Sequence, residues 1–172
     1  ALLRQTRPRV PALPADFRTH EGQPPALGFD TRIAVDFART LSNNIQELVE
    51  NELAAPVPLL PRFDYRRDDP EQAGEAERAR LGVTTATQLG WASAQAFKNW
   101  RSVIEAAGTF VFLKNFPLAD CKGFTVYDVR ESPIIVVSKH ERLDVARVFT
   151  LVHEYAHLLL REPGLSDHND RN

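Results

Sequence analysis

The stretch Val148-Phe149-Thr150-Leu151-Val152-His153-Glu154-Tyr155-Ala156-His157-Leu158-Leu159-Leu160 decides how the rest of the chain is read. Apolar residues fill nearly every turn, Val145 and Ala146 extend the pattern upstream, and Pro163-Gly164 stop it. The spacing predicts a final helix from about Glu141 to Leu160, apolar nearly all round as in a buried helix. His153, Glu154 and His157 interrupt the apolar run, which is also too short to cross a bilayer, so no membrane contact is expected.

These three residues form a His-Glu-x-x-His pattern. Positions four apart lie on one helical face about 6 Å from each other, so two imidazoles can close on a single Zn²⁺, with Mn²⁺ as the other candidate. Glu154 stands about 100° around the helix from His153. There it can take a proton from a water attacking a carbonyl without itself ligating the ion. A chain of this composition produces the pattern by accident roughly once in a hundred. Three ionisable groups on a buried helix are also costly unless they are paired or bound to metal. The bland alternative is a pair of core histidines bonded to neighbours, with Glu154 paired to a residue such as Arg147. A catalytic zinc usually takes three protein ligands. The long metzincin pattern is excluded, because Leu160 and Pro163 stand where its glycine and third histidine belong. Asp167, His168 and Asp170 read as a solvated tail, and the third ligand is expected beyond Asn172.

Working back from this helix, Thr109 to Leu113, Gly123 to Val129 and Pro133 to Ser138 are β-rich, with the turn-sized Arg130-Glu131-Ser132 between the last two. A small, mostly antiparallel sheet follows. The alternating run Gly123 to Asp128 reads as an edge strand able to bind an extended peptide by backbone pairing, or as an ordinary sheet edge. Thr84 to Ala107 carries Leu89, Ala92, Ala96, Trp100, Val103 and Ile104 on one stripe and ends at Gly108, which predicts one core helix with Trp91 and Trp100 as packing groups. A solvated short helix follows Pro70. From Thr31 to about Leu53 the residues Ile33, Ala34, Phe37, Ala38, Leu41 and Ile45 give an amphipathic helix, with Asp30 placed to cap it. Residues 1–30 are rich in Pro and Arg and read as an arm or linker, and 31–172 as the domain, expected to be truncated at its C-terminal end. Helices around a compact sheet make the class α+β.

The 172 residues, 43% apolar, suit one domain. With 21 basic against 23 acidic side chains, no broad positive field is available for phosphate, so direct nucleic-acid binding by this domain is not expected. A lone Cys121 and the lack of a leader pattern suit the cytoplasm. Cys121 itself reads as an inert thiol, His140 as a surface residue near a helix start, and Tyr127 and Tyr155 as packing tyrosines rather than proton donors.

The string from Phe149 to Leu160, preceded by Gly123 to Asp128 and by Pro133-Ile134-Ile135-Val136-Val137, resembles the ImmA/IrrE metallopeptidases, whose usual string is close to R-F-T-L-A-H-E-L-G-H-L-L-L-H. Weaker similarity reaches back through Trp100 to Gly108 and Pro14 to Thr19. Tyr155-Ala156 replaces the usual Leu-Gly, and Arg161 stands where His is common. The resemblance implies a zincin-like metallo-endopeptidase, with His153 and His157 as metal ligands and Glu154 as catalytic base. It also implies an acidic third ligand on a following helix. The implied protein substrate is a helix-turn-helix repressor, cleaved in stress responses or mobile-element control. The rival readings are a noncatalytic regulatory module that binds a protein or nucleic acid, and a toxin or phage-defence component.

Overall fold

The segment Pro133-Ile134-Ile135-Val136-Val137 is apolar at successive positions rather than alternating, as befits a strand covered on both faces. It forms β3 (Ile134–Ser138), buried along its whole length, in a computed structural model that describes residues 27–127 and 132–161. β3 is flanked by β1 (Phe110–Lys114) and β2 (Gly123–Val126), in the order β1-β3-β2. On one face Ile134 and Val136 join Phe124 and Val126 beneath Ala34, Val35 and Ala38 of α1 (Phe29–Glu50). On the other, Ile135 and Val137 join Val111 beneath two later helices. These are α4 (Ser93–Ala106), which contributes Trp100 and Ile104, and α5 (Asp144–Leu160), which contributes Leu151 and Leu158. Two shorter helices, α2 (Pro70–Arg80) and α3 (Thr85–Leu89), lie between α1 and α4 in the chain. The class is therefore α+β, and no helix among the described residues is long and apolar enough to cross a membrane. Most of the Pro-rich arm, the strand end at Asp128 and Val129, the turn residues Arg130 and Glu131, and the tail residues Asp167, His168 and Asp170 lie outside the described residues.

The structure corrects several expectations. The sheet is mixed rather than mostly antiparallel: β2 runs antiparallel to β3, with Phe124 opposite Val136, whereas β1 runs parallel to it, with Phe112 opposite the same residue. A turn-sized link specifies only the local pair. The partner of β1 is set by the crossing segment 115–122, where Phe116 is fully buried and its carbonyl accepts from Ser138 Oγ at 2.6 Å. The single helix expected over Thr84 to Ala107 is broken at Gly90, Trp91 and Ala92. In an unbroken helix Trp91 and Trp100 would stand roughly 13.5 Å apart along the axis. The break instead brings their rings to 5.5 Å at 86°, an edge-to-face contact in the core, which preserves their reading as packing groups. The helix does end at Gly108, whose φ of +98° suits glycine; a side chain there would meet Pro58 at 2.9 Å.

α1 also differs in its cap and its buried stripe. Thr31, Ala34, Val35, Ala38 and Ser42 face inward, while Ile33 and Leu48 are exposed. Asp30 lies in the first turn, but no side chain caps α1 at its N-cap residue Gly28; the helix start is instead tied to the β1–β2 connection, where Asp120 accepts from the Gly28 amide at 2.9 Å and from the Thr31 hydroxyl. Asp120→Ala should therefore cost about 1–3 kcal/mol, as loss of hydrogen bonds to a charged, partly buried group does. A urea denaturation curve reads this as a lower midpoint at unchanged slope, and a midpoint within error of the parent would disprove the tethering role.

Candidate functional site

Gly123 in β2 lets α5 approach the sheet closely. A Cβ at this position would lie 2.6 Å from Thr150 Cγ2, 3.0 Å from the Val136 carbonyl oxygen and 3.2 Å from Glu154 Cγ. With the helix this close, Glu154 is only 4% exposed, and its carboxylate Oε2 accepts from the Thr125 hydroxyl at 2.9 Å. The same hydroxyl lies 3.2 Å from the Glu154 carbonyl oxygen. Arg147, the ion-pair partner considered from the sequence, is engaged near the start of α5. Its guanidinium donates to the Glu141 carbonyl at 2.5 Å and stands 3.8 Å from Asp144.

About 100° around the helix on either side of Glu154 lie two different environments. Tyr155 turns into the core on the α2 side, and its hydroxyl donates to Glu77 Oε1 at 2.6 Å and accepts from Arg80 Nη2 at 2.7 Å. Arg80 in turn grips both oxygens of Glu77, at 2.8 and 2.6 Å. On the other side His153 and His157 are half-buried, with their Nε2 atoms 3.1 Å apart and their rings nearly perpendicular. Two imidazoles ligating one tetrahedral Zn²⁺ at about 2.05 Å would place their nitrogens roughly 3.3 Å apart, so the pair fits two corners of such a site. The histidine face is not buried as the sequence suggested. Phe149 stacks on the His153 ring at 5.9 Å while remaining 67% exposed, and Val145 and Val152 are exposed beside it.

Among the described residues, no group of three or more His, Cys, Asp or Glu side chains is placed to hold a metal ion. His140 is exposed, with its backbone amide on Ser138 Oγ, Cys121 is half-buried, and Tyr127 packs against the core. The chain matches no known family model, and no curated protein or solved structure matches it either.

Sequence reasoning missed Thr125, Glu77 and Arg80. Thr125 could have been singled out, since strand alternation puts it on the opposite side of the sheet from Phe124 and Val126. Nothing in the charged run Asp64 to Arg80 marks Glu77 as its buried member.

Burial, and then the hydrogen bond to Glu77, push the Tyr155 hydroxyl well above the usual tyrosine range, with Arg80 opposing in part. Below about pH 10 both folded and unfolded chains keep the proton; above it only the unfolded chain releases it, so folding loses stability as pH rises. The loss approaches about 1.4 kcal/mol per pH unit until the folded-state value is reached. Urea melts near pH 8 and near pH 11 should show a smaller alkaline loss for Tyr155→Phe than for the parent. Equal losses would mean that Tyr155 does not hold its proton in the fold.

Proposed function

We propose that this protein is a zinc-dependent endopeptidase of the zincin-like kind, similar to the ImmA/IrrE metallopeptidases, acting on a protein substrate of which a helix-turn-helix repressor is the leading candidate. The observation carrying this reading is the imidazole pair, 3.1 Å apart on consecutive turns of α5, with the Glu154 carboxylate held on the neighbouring face by Thr125. His153 and His157 would hold the ion, and a further ligand would come from outside the described residues. When bound, the metal supplies Lewis-acid polarisation of the scissile carbonyl.

The chain's own residues account for the proton transfers. Water adds to the carbonyl carbon, Glu154 takes its proton, and as the C–N bond breaks the carboxyl returns that proton to the leaving amine. Thr125 fixes the direction in which the carboxylate faces. β2, whose residues hold Glu154, has β3 on one side and no strand on the other among the described residues. A substrate chain can add there as a further strand, with backbone pairing providing register and placing its carbonyl beside α5.

The test is to incubate the chain with Zn²⁺ and a library of unstructured peptides and candidate repressors, and to read new termini by mass spectrometry. Cleavage should require Zn²⁺ and disappear in His153→Ala and His157→Ala. Metal-independent cleavage would overturn the reading.

A further inference from the structure

The only buried residue of α2 is a carboxylate, Glu77, at 6% exposure. The rest of this eleven-residue helix is half-buried or exposed. Its contact with α5 is thus made by polar groups: Glu77, Arg80 and the hydroxyl of Tyr155, closed into a triangle of hydrogen bonds between 2.6 and 2.8 Å. As a means of gluing two helices this is inefficient. Burying the Glu77 carboxylate is expensive even though Arg80 keeps 37% of its side chain exposed, and apolar residues of similar volume commonly hold such a contact as well or better. Directional hydrogen bonds offer something that apolar packing does not, namely a single allowed geometry.

The location of this triangle gives that geometry a use. Tyr155 lies between Glu154 and His157, so anchoring its hydroxyl restrains the turn that carries both. His157 stands one turn from the end of α5, where Arg161 adopts a left-handed conformation (φ 49°) and its amide closes on the His157 carbonyl at 3.1 Å. Leu158 and Leu159 pack this last turn into the core, and any residual fraying or rotation of it would separate the two imidazoles. Thr125 restrains α5 from the sheet through Glu154. The triangle restrains it from a second direction, about 100° away around the axis.

We propose that Glu77, Arg80 and Tyr155 are positioning residues that hold the last turns of α5 in the setting that preorganises His153 and His157 for a divalent cation. This deepens the metallopeptidase reading above and rests on it.

The experiment compares the parent, Glu77→Leu/Arg80→Met/Tyr155→Phe, and Tyr155→Phe alone. Each is titrated with Zn²⁺ in competition with a chromophoric chelator, and with Co²⁺, whose visible bands report coordination geometry. The triple variant replaces the triangle with apolar groups, so its melting temperature should stay close to the parent's. Its Zn²⁺ affinity should nevertheless fall about tenfold, as when groups that orient metal ligands are removed. The Co²⁺ bands should shift with it. A purely structural role predicts the reverse, with affinity and spectrum unchanged in the folded variant, and that result overturns the proposal. Should the triple variant not fold, Tyr155→Phe, which deletes one hydroxyl, decides the matter at a temperature where circular dichroism shows it folded. Weaker binding in the same direction supports the proposal, and unchanged binding overturns it. His153→Ala separates the two levels. If it binds Zn²⁺ as the parent does, the metal reading falls and the positioning role falls with it. If it loses Zn²⁺ while the triple variant does not, only the positioning role falls.

Discussion

Zinc-loaded Glu154→Gln protein is expected to bind the ion as the parent does and to cut its substrate at least about 10²–10⁴-fold more slowly, the range that a positioned general base contributes. The substitution keeps the size and planarity of the side chain. An amide oxygen can still accept from the Thr125 hydroxyl, which donates to Glu154 at 2.9 Å in the parent. Glutamine cannot take a proton from water at neutral pH, so the chemical step loses its base while the docking of α5 on β2 survives. Three measurements on the same preparation check this: Zn²⁺ affinity, melting temperature and the rate at which new peptide termini appear. Undiminished cleavage would remove Glu154 from the mechanism. A variant that keeps full affinity for a partner and full regulation of it, where the parent releases no new termini, would favour the noncatalytic rival.

The second large effect is expected at Gly123. Val at this position would drive its Cβ against Thr150 Cγ2 and the backbone oxygen of Val136, and only the first of these can move by a side-chain rotation. Overpacking of this kind costs about 1–3 kcal/mol. In a domain of this size that is about 2–4 °C of melting temperature per kcal/mol. Because the third atom in the way is Glu154 Cγ, relief of the clash pushes α5 off β2 and takes the carboxylate with it, so cleavage should fall further than stability accounts for. Gly123→Ala should show a milder version, and adding Thr150→Ser, which removes the nearest methyl, should restore part of the loss. Full stability and full cleavage in Gly123→Val would show that the close approach of helix and strand has no bearing on the candidate site.

How much of this was legible beforehand depends on the range of the interaction involved. The imidazole pair was readable because a separation of four residues fixes a distance on any helix, and the structure sets His153 and His157 accordingly. β3 was readable because an unbroken apolar run belongs to a strand covered on both faces, as Ile134–Ser138 is. The exposed Phe149 face was not. Hydrophobicity records what a segment could bury, whereas the described residues leave Val145, Phe149 and Val152 outside the core. Likewise Asp30 was well placed to cap α1 by local spacing, yet no side chain caps this helix, and its start is tied instead to Asp120, some ninety positions away in the chain.

From the amino-acid order alone come the α+β class, the helix that carries the His-Glu-x-x-His pattern, and the side-by-side placement of its two imidazoles, because 3.6-residue and two-residue periodicities are local geometry that every such segment shares. The tertiary structure decided which side of that helix meets which neighbour: Glu154 faces Thr125 across a strand thinned by Gly123, Tyr155 faces Glu77 and Arg80, and β1 runs parallel to β3. Those pairings join residues tens of positions apart. They are selected only when the whole core closes, and no periodicity in the chain records them.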